Sequence, residues 1–224
     1  MKGVVRPEDM LSEEWVTACY LGCLVLIAAI NTGSPRKWRV LWQAAFRMRL
    51  GRQALREELD AGDRTVLGLL AVAVVAIAML LWQCAMVFGR AVPPSFLLCA
   101  AAVAAVLAIQ SVLLRGLAFL AKADAGAREY RYTGSLLYSA LGVALLPLVI
   151  LSSYRPHWRP VLLGGGLALL VMILLYRWVR CLWIGAGEGV PFRYIILYLC
   201  GAEILPLLLA SQAIGERILP SFHS

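Results

Sequence analysis

Apolar residues in this chain gather into long unbroken runs, and six of these runs have the length of a membrane span. They lie at about Trp15–Ile30, Thr65–Phe88, Ser95–Leu114, Gly134–Leu151, Val161–Trp183 and Arg193–Ile214. A hydrocarbon core of roughly 30 Å takes about 20 residues of helix to cross. The runs are solidly apolar rather than alternating, which excludes the period-two strands of a membrane barrel. The pattern predicts an all-α polytopic membrane protein, a bundle of six transmembrane helices. Residues 1–224 then form a single integral membrane domain.

The segment between the first two runs carries a further helical signal. On a helix over Trp38–Met48, Trp38, Leu41, Trp42 and Ala45 share one face, while Arg39, Gln43 and Arg47 lie towards the other. An apolar, aromatic face with basic flanks is suited to the interface of an anionic leaflet. A short interfacial helix is therefore expected after the first span. From Arg52 onward the alternating charges describe a solvated helix. The outer connections are short and proline-bound, with Pro93-Pro94 in one and Pro156 and Pro160 in the other. Pro147 is expected to kink the fourth span.

Composition supports the membrane class. Hydrophobic residues make up 62% of the chain and charged ones only 15%; soluble domains carry roughly 45–50% and 25%. The net charge of +8 would suit nucleic acid if it were gathered on one soluble face. Instead it is divided between the loops. One side of the membrane holds Arg36, Lys37, Arg39, Arg47, Arg49, Arg52, Arg56, Arg64, Arg115, Lys122, Arg128, Arg131, Arg177, Arg180 and Arg193. These are 15 of the 21 basic residues, and the positive-inside rule makes that side cytoplasmic. The expected location is a bacterial inner membrane, multi-pass, with both termini periplasmic. The first run follows an acidic leader (Glu8, Asp9, Glu13, Glu14) and precedes Asn31-Thr32-Gly33-Ser34-Pro35, so it reads as a retained helix rather than a signal peptide. Nucleic acid is not an expected partner. The expected partners are anionic headgroups at the cytoplasmic face and other membrane proteins or further copies of the chain.

Catalytic and metal-binding chemistry is sparse. The chain has no G-x-S-x-G elbow, P-loop or H-E-x-x-H motif. Cys19, Cys23, Cys84, Cys99, Cys181 and Cys200 fall in or at the ends of spans, and the two histidines, His157 and His223, are isolated. Buried thiols of this kind behave as small apolar groups, so no metal site, catalytic residue or cofactor is assigned. Gly164-Gly165-Gly166 follows no strand and is read as a place for close helix approach or a local kink. Trp15, Trp82, Trp158, Trp178 and Trp183 read mostly as interfacial anchors.

One residue stands apart. Glu203 lies near the middle of the last run, where an unpaired carboxylate costs a few kcal/mol or more. It must be protonated, paired or turned to water. Pro206 frees the backbone carbonyl of Ala202 beside it, giving a polar notch. Candidate partners on other spans are Arg177, Arg180, Arg115, Gln110, Gln83 and Tyr138. Arg177 leads, because the fifth and sixth spans should be antiparallel neighbours. It lies nearer the cytoplasm than Glu203, so a tyrosine or water is expected to bridge them. The candidate intramembrane polar site is Glu203, Arg177, Tyr138 and Tyr198.

The run Tyr198-Leu-Cys200-Gly-Ala-Glu203-Ile-Leu-Pro206, a Y-L-C-x-x-E-I-x-P motif, resembles the carboxyl-terminal signature of an uncharacterised Bacteroidota integral membrane protein family with a domain-of-unknown-function label. Tyr138 to Pro147 and the Leu-Tyr176-Arg177 stretch are similar to its preceding regions. The resemblance runs from about Arg36 to the carboxyl terminus. It implies an inner-membrane helical fold and no particular activity. Three functions fit: a non-enzymatic scaffold or accessory subunit of an envelope assembly, a small proton- or ion-coupled carrier using Glu203, or a lipid-modifying enzyme.

Overall fold

The computed structural model describes residues 13–33, 64–88, 95–121, 124–187 and 201. Five long helices account for nearly all of them: α1 (Glu14–Gly33), α2 (Arg64–Phe88), α3 (Phe96–Ala121), α4 (Asp124–Tyr154) and α5 (Arg159–Gly187). A 3-10 turn at Pro156–Trp158 joins α4 to α5. There is no strand among the described residues. All five helices are long and apolar enough to cross a membrane, with candidate spans Glu14–Gly33, Thr65–Phe88, Phe96–Gly116, Gly134–Tyr154 and Pro156–Arg180. The expected interfacial helix at Trp38–Met48 and, apart from Gly201, the sixth run at Arg193–Ile214 lie outside the described residues.

Helices α2 and α4 form the centre. Over half of each span is buried (56%), against 6% for α3 and 17% for α1 and α5. The outer three therefore present most of their apolar surface outward, as lipid-facing helices do. Close approach at the centre comes from small residues. Ala73 and Ala76 on α2 are essentially inaccessible, and Gly142 on α4 packs directly onto the Ala73 backbone. Where lipid tails are as apolar as the side chains, such van der Waals contact is a main force holding helices together. Met79 and Leu80 of α2, Leu141 and Leu145 of α4 and Leu163 of α5 fill the rest of the core. Gly166 of α5 rests against Leu80 and Leu145. Gly164 and Gly165 meet nothing within 4 Å, so only one of the three glycines serves close approach.

The stretch between the third and fourth apolar runs is largely helical. Helix α3 runs on to Ala121 and α4 begins at Asp124. Its sequence of Ala, Leu, Lys, Arg and Glu has high helix propensity, so the helices continue past the apolar boundary. Helix α4 is unbroken at Pro147, whose ring lies on an exposed face. Pro160 occupies the second position of α5, where a helix needs no backbone donor. Trp82 corrects its reading as an interfacial anchor: it is buried in the core at 4% exposure, edge-on to Trp15 at 5.2 Å. Trp15 also contacts Phe96 at 5.4 Å, tying the starts of α1 and α3 to the end of α2. Trp158 and Trp183, by contrast, are largely exposed.

Candidate functional site

Arg177 is the decisive side chain. It lies on α5, three residues before the end of its span, and is 5% exposed. A guanidinium so deeply enclosed must be supported on several sides, because burying a charge without partners is prohibitive. Among the described residues, two helices contribute to that support. The Oε1 of Gln110, on α3, accepts a hydrogen bond from Arg177 Nη1 at 3.1 Å. The same oxygen accepts from the Tyr138 hydroxyl, on α4, at 3.0 Å. Both lone pairs of the amide oxygen are thereby engaged. The Arg177 guanidinium carbon sits over the Tyr138 ring, 4.7 Å from its centroid, in a cation–π contact.

Gly134 lies against the guanidinium, where a Cβ would make ordinary van der Waals contact. A Cβ there would lie 3.8 Å from the guanidinium carbon and 3.9 Å from Nε and Nη2. Gln110, Tyr138 and Arg177 lie within about two turns of the same end of the bundle, the end marked by Gly116, Gly134 and Arg180. Arg180, one turn beyond Arg177, is also buried, at 3% exposure. Arg115 is on an exposed face of α3.

The structure thus brings together Arg177 and Tyr138 and adds Gln110 between them. Glu203 and Tyr198, the other two members of the candidate site, lie outside the described residues.

A second polar cluster at the opposite end was not anticipated. Gln83 of α2, 1% exposed, donates through Nε2 to the Tyr20 hydroxyl of α1 at 2.8 Å and to Ser153 Oγ of α4 at 2.7 Å. Ser152 Oγ donates to Gln83 Oε1, and Tyr20 and Ser153 share a 2.8 Å contact. Thr17 and Tyr154 pair at 2.7 Å on the rim. Gln83 was a candidate partner of Glu203 in the sequence. Its amide is bonded within this three-helix network. The signal available in the sequence was the Ser152-Ser153 pair at the end of an apolar run, on the same side of the membrane as Gln83. These groups are helix fasteners, neutral and mutually bonded.

Among the described residues no group of three His, Cys, Asp or Glu is placed to hold a metal ion. Cys19, Cys23, Cys84 and Cys99 are free thiols. No curated protein and no solved structure matches the chain. The pattern of one family matches residues 16–214, which takes in all five described helices and the segment containing Glu203. The chain belongs to the family described as Domain of unknown function (DUF4271).

Proposed function

We propose that this chain is a non-enzymatic scaffold or accessory subunit of an envelope assembly in the bacterial inner membrane. In this reading it is one domain of six spans. The sixth span, about Arg193–Ile214, packs beside α5, and both termini are periplasmic. A short helix at Trp38–Met48 rests on the anionic cytoplasmic leaflet. Glu203 serves as counter-charge to Arg177, directly or through Tyr138, with Tyr198 close by.

The observation that supports the reading is the pairing of buried polar side chains. Gln83, Tyr20, Ser152 and Ser153 bond to one another across α1, α2 and α4, and Gln110, Tyr138 and Arg177 do so across α3, α4 and α5. Polar groups bonded in this way join helices. An ion pathway uses such groups to receive cargo, and transporters usually place several charges along the route.

Glu203→Gln tests the proposal, because glutamine keeps the shape and hydrogen-bonding reach but cannot titrate. In a scaffold it lowers folded abundance by less than Glu203→Leu does, and growth falls only as far as abundance does. Normal abundance with loss of the protein's contribution to growth would contradict the scaffold and favour a proton-coupled carrier.

A further inference from the structure

We infer that α1 is a strap that parts from the rest of the bundle as a unit, held in place by a hydrogen-bonded clasp centred on Tyr20. The inference concerns the described helices alone and stands whether or not the chain is a scaffold. The contrast between the two halves of α1 carries it.

The first half is fastened. Val16, Tyr20 and Cys23, spaced as one face of a helix, are its buried residues. The Tyr20 hydroxyl accepts from Gln83 Nε2 at 2.8 Å and lies 2.8 Å from Ser153 Oγ. The protons of the cluster fall into an arrangement that uses each of them once. The two on Gln83 Nε2 go to Tyr20 and, at 2.7 Å, to Ser153 Oγ. Tyr20 then donates to Ser153, and Ser153 donates to the Val149 carbonyl at 3.2 Å. Tyr20 is thereby acceptor and donor at once, joining α1 to both α2 and α4. At the rim, Thr17 pairs with Tyr154 of α4 at 2.7 Å.

The second half is not fastened in this way. From Leu24 to Gly33 no residue is buried, and Leu24 and Val25 are 47% and 68% exposed. The Thr32 hydroxyl turns back to the carbonyls of Ala28 and Ala29 within α1. Close contact with α2 comes from the tip of Ile30 in the notch at Gly68, where a Cβ would lie 2.9 Å from Ile30 Cδ1. Residues 34–63 separate this end from α2 in the sequence, whereas the turn at Pro156–Trp158 joins α4 directly to α5. Elements with few buried apolar contacts open at low free energy, ahead of the core. The tightly packed centre of α2 and α4 is the opposite case, so α1 and the centre open separately.

The test is amide hydrogen exchange of the full chain in mild detergent, read by mass spectrometry on peptides of α1, α2 and α4. Residues 24–33 should exchange at least about tenfold faster than the centres of α2 and α4. Tyr20→Phe keeps the ring and removes the hydroxyl. It should speed exchange across α1 by about two- to tenfold, the worth of one hydrogen bond. Gly142→Ala, well away from the clasp on α4, loosens the packing of α4 on α2. It should speed exchange in α2 and α4 and leave α1 unchanged, because a strap that opens first does not draw on the stability of the centre. Ile30→Ala tests the strap without touching the clasp, and should speed exchange along the whole of α1. If Gly142→Ala sped α1 as much as α2, the helices would open as one cooperative unit and the inference would be overturned. Unchanged α1 exchange in Tyr20→Phe would remove the clasp. Acceleration by Ile30→Ala confined to the last turn of α1 would show fraying of a helix end in place of a parting strap.

Discussion

Glycines in this bundle should respond to the same substitution with opposite signs, and Gly142 gives the sharper half of that prediction. A Cβ at Gly142 would lie 2.7 Å from the Ala73 Cβ, 2.9 Å from its backbone nitrogen and closer still to its Cα. Carbon atoms pack comfortably at about 3.5–4.0 Å, so Gly142→Ala demands that α2 and α4 separate by about 1 Å. Most of the obstructing atoms are backbone, and no rotamer change can relieve them. Overpacking of this kind costs about 1–3 kcal/mol, equivalent to a fall of about 2–12 °C in Tm for a chain of this size. Ala73→Gly in the same protein removes one obstruction but not the backbone, so rescue should be partial. Gly164→Ala and Gly165→Ala meet open space and should each stabilise by up to about 1 kcal/mol through helix propensity. The assay is thermal unfolding in mild detergent, followed by reaction of a fluorogenic maleimide with thiols such as the buried Cys23. If Gly142→Ala matched the parent, or ranked with the two open sites, close packing of α2 on α4 would be refuted.

Gln83→Leu should destabilise by about 1–3 kcal/mol in the same assay, because it removes the buried amide's bonds to the Tyr20, Ser152 and Ser153 hydroxyls; a neutral effect would mean those bonds add nothing. Arg177→Lys should lower folded abundance nearly as far as Arg177→Gln, since a lysine ammonium reproduces neither the planar stacking on Tyr138 nor the fixed reach to Gln110. Full rescue by lysine would show that charge alone matters there. Gly187→Cys, with the native cysteines replaced, should resist a membrane-impermeant thiol reagent in whole cells if the proposed orientation holds; labelling would reverse the orientation.

Five apolar runs mark the five described helices to within a few residues at most ends, because in a bilayer only helices satisfy the backbone inside long apolar segments. The sequence misleads where hydropathy stops being the controlling term. Residues near Lys122 are polar enough to read as a loop, yet their helix propensity carries α3 and α4 beyond the bilayer boundary. Trp82 illustrates a different limit. A tryptophan near the end of a span suits an interface or a core equally, and only the neighbouring Trp15 on α1 decides between them. The polar contacts divide in the same way. Arg177 and Tyr138 were both legible only as candidate partners of Glu203, and their direct contact with each other was not. That Gln110 joins them both depends on the rotation of α3 about its axis, which an alanine-rich and almost evenly apolar helix does not encode. The Gln83 cluster was hidden for a related reason: its members come from three helices and are individually unremarkable.

The pairing of Glu203 with Arg177 is the central claim, and a double-mutant cycle tests it most directly. Glu203→Leu, Arg177→Leu and the double variant are compared for folded abundance and Tm in the full chain. If the two form a buried pair, each single change strands a charge and costs about 3–5 kcal/mol. The double variant should then be more stable than the sum of the single effects by at least 1 kcal/mol, beyond the roughly 0.5 kcal/mol scatter of independent sites. Additive losses within that scatter would contradict the account, and Glu203 would have to be assigned to another partner or to a role other than joining helices.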